Sequence, residues 1–264
     1  MSARKEKKEK EAEAAKAPLL EHLLELRTRL IYSFAFLLLA FAVTYTFADA
    51  IYDFLVAPLA EAMREHPERR MIFTGLQEAF LTKLKVAFYA ALFAAFPLIA
   101  IQIWKFVAPG LYKNERRAFL PFLVATPVLF AAGGALVYYL VMPLAWRFFL
   151  GFEQPGAEGG LPIELEARVS EYLSLVITLI FAFGMSFQLP ILLILLNRAG
   201  LLALETLKKG RRYAIVIAFM AAAVLTPPDV ISQIALGIPL VLLYELSILA
   251  IRLMDRRREA RKGA

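Results

Sequence analysis

Two carboxylates lie in segments that are otherwise basic, and their side chains are well suited to hold a cationic ligand. Glu25 lies in the string HLLELRTRL (22–30), and Glu115 lies in the string LYKNERR (111–117). A carboxylate can accept two parallel hydrogen bonds from one guanidinium group, which makes it a strong partner of arginine. If both glutamates lie on one aqueous rim, they could therefore bind a ligand that carries paired arginines.

Each of these glutamates also has a purely local explanation. Glu25 precedes Arg29 by four residues, the favourable order for an ion pair on a helix, worth a few tenths of a kcal/mol. Glu115 follows Asn114, a good N-cap, so it would occupy the start of a helix, where the helix dipole favours an anion. Local chemistry alone favours these structural roles, and the binding role stays open beside them.

The common catalytic motifs are absent from the sequence. The chain contains no G-x-x-x-x-G-K-[ST], no H-E-x-x-H and no G-x-S-x-G, and its only histidines are His22 and His66. It has no cysteine, which excludes a thiolate nucleophile or metal ligand. We therefore expect no enzymatic activity, no cofactor and no metal site. If the protein performs work, we expect the energy to come from the membrane potential, which is worth about 2.3 kcal/mol per charge per 100 mV.

The composition is typical of a membrane protein. The mean hydropathy is +0.63, and 60% of the residues are hydrophobic, more than a soluble domain of this length normally carries. The net charge is +7, but the basic residues border apolar runs instead of alternating with aromatic residues on a polar face. Anionic lipid headgroups are therefore the expected counterpart, and nucleic-acid binding is not expected.

The basic residues that define the sidedness of the chain fall into four patches. Short loops rich in Lys and Arg stay on the cytoplasmic side during insertion. Because two apolar runs separate successive patches, we expect an all-α protein with six membrane spans, both termini and two loops being cytoplasmic. The patches consist of Arg4, Lys5, Lys7, Lys8, Lys10, Lys16, Arg27 and Arg29; Lys105, Lys113, Arg116 and Arg117; Arg198, Lys208, Lys209, Arg211 and Arg212; and Arg252, Arg256, Arg257, Arg258, Arg261 and Lys262.

Three segments are expected along the chain. Residues 1–17 form a disordered tail of both charge signs, residues 18–255 form the membrane domain, and residues 256–264 form a basic cytoplasmic tail. The second span should begin at Thr74 and Gln77, which have capping-box spacing, and end near Trp104 in the headgroup layer. The other spans are expected near residues 30–47, 114–139, 170–196, 213–225 and 231–251.

The fifth of these spans is short. Residues 213–225 give only 13 residues, about 20 Å of helix against a hydrocarbon core of about 30 Å. We expect the mismatch to be relieved by a thinned bilayer or by a partner helix. Prolines inside the spans should kink the helices, so that they pack into a concave wall. These prolines are Pro97, Pro121, Pro127, Pro190 and Pro239.

Five strings resemble, in order and spacing, those of the TatC family of the twin-arginine protein translocase. They are HLLELRTRL (22–30), APLA (57–60), FVAPGLYKNERR (106–117), AFGMSFQLP (182–190) and LTPPDVISQ (225–233). The resemblance covers residues 18–255. It implies a receptor in the inner membrane that binds twin-arginine signal peptides. This receptor would form a hetero-oligomer of several copies with TatA- and TatB-type single-span subunits. The complex would export folded proteins using the proton motive force.

The resemblance also assigns roles to individual positions. The family's signal-peptide-binding region maps onto Glu25, Arg27, Arg29, Phe106, Tyr112, Lys113, Glu115, Arg116 and Arg117. Its partner-binding cluster maps onto Gln188, Thr226, Asp229 and Gln233.

Gln188 departs from the family pattern, because several members carry glutamate there. An amide cannot titrate, so Gln188 could equally make a hydrogen bond between helices, worth about 0.6 kcal/mol.

The residues also leave two other functions to consider, a secondary transporter of small solutes and a membrane-embedded enzyme. A transporter should show ionisable side chains at mid-depth beside broken helices. An enzyme should show a nucleophile and a base at one depth. Neither pattern is apparent in the sequence.

Overall fold

The computed structural model describes residues 2–64, 70–111, 120–154, 161, 165–225 and 230–262. Within these residues the chain is helical apart from short connections, and one isolated bridge pairs Ile72 with Arg168. The predicted all-α class is therefore confirmed. The helices are α1 (Ser2–Thr46), α2 (Ala48–Ala62), α3 (Glu78–Leu111), α4 (Leu120–Leu136), α5 (Met142–Leu150), α6 (Val169–Ser186), α7 (Leu189–Arg198), α8 (Leu204–Leu225) and α9 (Val230–Lys262).

Five segments of the described chain are long and apolar enough to cross a bilayer. They are Glu21–Thr46, Glu78–Phe106, Pro121–Leu150, Val169–Arg198 and Gln233–Arg256. Helix α8 is not among them, because the basic residues of its first half leave only the apolar stretch 213–225. The expected short span therefore lies in α8, and the count of six spans and their sidedness stay predictions.

The third span is longer than the sequence predicts. It was expected to end near Tyr139, but the helical path continues through a π-helical turn, Val137–Val141, into α5 and ends at Leu150. Pro143 lies in the first turn of α5, where it has no N–H to donate to the preceding turn. The π turn lets the chain pass this proline without leaving the helical path.

The prolines expected to kink the spans lie in two different local settings. Pro190 follows the break that divides the fourth span into α6 and α7. Pro127 and Pro239, by contrast, lie inside the continuous helices α4 and α9.

Close packing of small residues holds the central spans together. A Cβ atom on Gly133 of α4 would lie 2.7 Å from the carbonyl oxygen of Phe183 in α6, and one on Gly184 would lie 2.7 Å from the ring of Phe130. Side chains longer than hydrogen would therefore separate these two helices, and such contacts between small residues are the usual basis of helix packing in membranes. Phe130 and Phe183 themselves are fully buried there.

Helix α1 packs along α3, and this pairing positions the candidate site. Near the C-terminal end of α1 the hydroxyl of Thr44 donates to the carbonyl oxygen of Ala87 at 2.8 Å, and Phe41 contacts Phe88 edge to face. Because the two helices run alongside each other, the first membrane-proximal turns of α1 lie against the last turns of α3.

Candidate functional site

Glu25 and Arg29 form the ion pair expected from their spacing. The Nη2 atom of Arg29 lies 3.1 Å from Oε1 of Glu25, and the two side chains are 27% and 31% exposed. The Nη1 atom of Arg29 also donates to Oε1 of Gln102 in α3, at 3.4 Å. Gln102 is 7% exposed, so this second bond lies inside the α1–α3 interface. The guanidinium is therefore held from both helices, and it orients the carboxylate of Glu25 at the rim.

One turn away, an aromatic contact extends the same interface. The rings of His22 and Phe106 stack with their centroids 4.2 Å apart and their planes 16° apart. His22, Glu25 and Arg29 follow helical spacing on one face of α1, and Gln102 and Phe106 follow it on α3. Two of the predicted signal-peptide residues on α1 are thus brought to Phe106. Arg27 is exposed and does not belong to this face.

The remaining residues of the predicted signal-peptide region lie outside the described part of the chain. These are Tyr112, Lys113, Glu115, Arg116 and Arg117. Helix α3 leads directly to them, because Leu111 lies about 7 to 8 Å along the helix axis from Phe106. Glu115 follows Leu111 by four residues in the sequence.

Gln188 occupies the break between α6 and α7, where its amide makes bonds between helices. Its Nε2 atom donates to the carbonyl oxygen of Thr126 at 3.0 Å and to that of Gly184 at 3.4 Å. The hydroxyl of Thr126 accepts a bond from the indole of Trp104 at 3.0 Å. The described contacts of Gln188 are therefore hydrogen bonds that hold helices together, which is the alternative to a partner-binding role. The second candidate span ends at Phe106, close to Trp104 as expected, and the Trp104 side chain is buried within the protein at 6% exposure.

Gln233 lies where α9 packs against α8. Its Nε2 atom lies 3.4 Å from the carbonyl oxygen of Phe219, and a Cβ on Gly237 would lie 2.7 Å from the Phe219 ring. Thr226 and Asp229, the other residues of the predicted partner-binding cluster, lie outside the described residues. Side chains on the other face of α8 are exposed, with Ile217 and Met220 both at 63%.

A polar cluster lies at the opposite end of α3, and no motif in the sequence predicts it. The carboxylate of Glu78, 7% exposed, lies 3.3 Å from Nη2 of Arg168. It also accepts bonds from the backbone N–H groups of Thr74 at 2.9 Å, Gly75 at 3.2 Å and Ser170 at 3.3 Å. The hydrogen bond to Glu78 raises the pKa of Arg168, so the guanidinium stays charged. Glu78 thus ties the loop before α3 to the first turn of α6. The second span begins at Glu78, directly after Thr74 and Gln77 as expected, and Thr74 bonds to Glu78.

The described residues contain no group of three or more His, Cys, Asp or Glu side chains that could hold a metal ion.

Comparison with known proteins gives one consistent family. Residues 21–239 match the family model described as Sec-independent protein translocase protein (TatC). A protein of that name from Magnetococcus marinus is 49% identical over 249 residues, which cover 94% of this chain and 89% of the relative. The corresponding protein from Escherichia coli K12 is 38% identical over 231 residues, covering 88% of this chain and 86% of the relative.

A solved structure agrees with the sequence relatives. A crystal structure of the twin arginine translocase receptor TatC has a TM-score of 0.73 and 37% sequence identity to this chain. The alignment covers 88% of this chain and 98% of the solved one.

Proposed function

This chain belongs to the TatC family of Sec-independent protein translocase proteins, and we propose that it binds twin-arginine signal peptides at the rim formed by α1 and the inner end of α3. The chain is the core subunit of a Tat translocase, a role in transport and not in catalysis. The observation that carries the proposal is the position of Glu25, whose half-exposed carboxylate is fixed by Arg29 against Gln102 of α3.

Glu25 has the geometry to receive one guanidinium group. Arg29 binds the Oε1 atom of Glu25, and the Glu25 side chain is 31% exposed, which leaves its carboxylate able to accept a second donor. Because Arg29 is itself anchored to Gln102, Glu25 is held in one conformation before the ligand arrives. Preorganisation of this kind lowers the entropy cost of binding.

The second arginine of the signal peptide is assigned to Glu115. This residue follows the inner end of α3, on the same side of the predicted topology as Glu25. The His22 ring, stacked on Phe106 one turn from Glu25, provides a flat surface on which an arginine side chain can lie. The positive charges of the same region would repel a cationic ligand that lacks strong bidentate contacts to the carboxylates. These charges belong to Arg27, Lys113, Arg116 and Arg117. Tyr112 is assigned to the same binding region.

The partners we propose are TatA- and TatB-type single-span subunits, in a hetero-oligomer of several copies in the inner membrane with both termini cytoplasmic. They would contact the short apolar part of α8 and the adjoining start of α9, where Thr226, Asp229 and Gln233 are assigned. Gln188, the fourth residue assigned to partner binding, lies at the break between α6 and α7. The exposed apolar side chains of α8 support this assignment, since a partner helix can cover them where the lipid is thin. Export would be driven by the proton motive force.

A secondary transporter of small solutes is not favoured. Such a protein needs ionisable side chains at mid-depth, and α3 carries none between Lys85 and Lys105. The relatives are also protein translocase components.

Photo-crosslinking with a labelled twin-arginine peptide tests the proposed rim. A photoreactive phenylalanine analogue replaces Phe106 in one variant and Phe80 in the control, which lies at the other end of α3 and is 59% exposed. We expect the peptide to crosslink from position 106 and not from position 80, and a twin-lysine peptide not to compete. Equal crosslinking from both positions, or equal competition by the twin-lysine peptide, would contradict the proposal.

A further inference from the structure

Lys85 is an ionisable side chain on an apolar helix that the proposed function does not use. Its Nζ atom donates a hydrogen bond to Oγ of Ser174 in α6, at 2.7 Å, and the side chain is half-buried. Among the described residues, no carboxylate lies within ion-pair distance of this ammonium group. A charge on a membrane helix is costly and usually marks a site of function.

The depth of Lys85 follows from its spacing to Lys105. The two lysines are 20 residues apart on the continuous helix α3, with no charged residue between them. Twenty helical residues span about 30 Å, the thickness of the hydrocarbon core. Since Lys105 belongs to the predicted cytoplasmic patch, Lys85 lies at the outer boundary of the hydrocarbon, at the level of the lipid glycerol and phosphate groups.

The acidic residues around this end of α3 are already paired with other groups. Glu78 and Glu171 both bind Arg168, at 3.3 and 3.2 Å, and Asp49 binds Lys83 at 2.8 Å. The hydroxyl of Ser174, which accepts the bond from Lys85, donates its own proton to the carbonyl oxygen of Ser170. An ammonium group has three N–H donors, so those not directed at Ser174 face an adjoining groove.

This groove is amphipathic along its length. It has a volume of about 590 Å³ and runs between α3 and α6. Lys85, Ser174 and Thr178 line its outer end, and Phe181, Ala182 and Met185 line the part below. From Ser174 to Met185 the helix rises about 16 Å, which is close to half the thickness of the hydrocarbon core.

We propose that this groove binds one phospholipid of the outer leaflet, with its phosphate at Lys85 and one acyl chain along Phe181 and Met185. Charge complementarity and depth identify the headgroup contact, because a phosphate is the anion that the bilayer supplies at this level. The apolar lower part, where Met185 is 59% exposed, accommodates a chain. The bound lipid would join α3 to α6 beside the Glu78–Arg168 cluster.

Native mass spectrometry of the purified full-length protein tests the proposal. The protein is titrated with dioleoylphosphatidylglycerol and, separately, with dioleoylglycerol, which has the same chains and no phosphate. We expect the phospholipid to be retained and the dioleoylglycerol not to be. Lys85→Gln should weaken phospholipid retention about tenfold or more, because a charge-assisted contact is lost. Lys85→Arg should retain the lipid.

Lys83→Gln is the matched control, since Lys83 lies two residues away and is paired with Asp49 outside the groove. It should retain the lipid as the unmodified protein does. If Lys85→Gln does not give folded protein, Ser174→Ala keeps the lysine and should still weaken retention several-fold.

Three results would overturn the lipid site. The first is equal retention of dioleoylglycerol and phospholipid, and the second is retention that Lys85→Gln and Ser174→Ala leave unchanged. The third is a Lys85→Gln protein that keeps its lipid but loses copurifying single-span subunits, which would make the groove a docking site for an acidic partner helix. Binding of a twin-arginine peptide should be unaffected by these variants, so failure here is separable from failure of the proposed receptor function.

Discussion

Arg29 of α1 donates a hydrogen bond from Nη1 to Oε1 of Gln102 in α3, with 3.4 Å between the two atoms and 73 residues between them in the sequence. The same guanidinium holds Glu25 at 3.1 Å. Gln102, which is buried between α1 and α3, therefore positions the Glu25 carboxylate at the rim through Arg29. The ion pair that local spacing predicts is part of an arrangement that only the packing of two helices can produce.

Glu25→Gln tests the role of this carboxylate. We expect the affinity for a twin-arginine peptide to fall ten- to hundredfold, because one charge-assisted contact is worth about 1.5 to 3 kcal/mol. The measurement is an isothermal titration of the purified protein with the peptide. Glu21→Gln is the control, since Glu21 is an exposed carboxylate one turn earlier on α1. An equal loss in both variants would indicate general charge attraction instead of a contact at Glu25.

Several features of the fold follow from local sequence signals. Long apolar runs predict the helices, and the four-residue spacing of Glu25 and Arg29 predicts their ion pair. The sequence predicts an end of the third span near Tyr139, which is too early. No local signal shows that a π turn carries the helix on to Leu150.

The tertiary contacts could not be read from the sequence. Gln102 joins the candidate site only because α1 packs along α3, and it belongs to none of the five strings. His22 begins the first string, but its stacking on Phe106 also follows only from this packing. The burial of Trp104 against Thr126 likewise follows only from the packing of α3 and α4. Glu78 and Arg168 are 90 residues apart and meet through the fold alone.

The Glu78–Arg168 pair should stabilise the outer end of the protein. Glu78→Gln removes a charge that binds Arg168 and three backbone N–H groups, so the melting temperature in detergent should fall by several degrees. Differential scanning fluorimetry measures this shift. Glu171→Gln is the control, because Glu171 also binds Arg168 but its side chain is 74% exposed, and exposed pairs contribute little. A larger shift for Glu171→Gln would contradict the assigned role of Glu78.

The predicted topology can be measured by labelling single cysteines, because the chain has no cysteine of its own. Cysteines at Lys5, Asn114, Lys209 and Arg258 should react only from the cytoplasmic side, and those at Glu61, Glu158 and Asp229 only from outside. Labelling of position 114 or 209 from outside would rule out six spans with cytoplasmic termini. Reaction at position 61 from the cytoplasm would do the same.

The short apolar stretch of α8 should perturb the bilayer or contact a partner. Spin labels at Thr226 and Gln233 should report a reduced depth in lipid vesicles, or lose lipid contact when single-span subunits are added. A label at Leu98, a 42% exposed position in the middle of α3, serves as the reference for ordinary thickness. Ordinary bilayer thickness at 226 and 233, with partner crosslinks only elsewhere, would contradict this prediction.

The receptor assignment is tested most directly by titrating the purified protein and its Glu115→Lys variant with a twin-arginine peptide and with the matching twin-lysine peptide. Glu205→Lys is the control for charge, because Glu205 lies in the predicted cytoplasmic loop and pairs with Lys208. We expect the unmodified protein and Glu205→Lys to prefer the twin-arginine peptide, and Glu115→Lys to bind at least about tenfold more weakly. Protein stability should hardly change, since a carboxylate at a helix start contributes under about 1 kcal/mol. Unchanged affinity in Glu115→Lys, with no preference for arginine over lysine in the unmodified protein, would contradict the account.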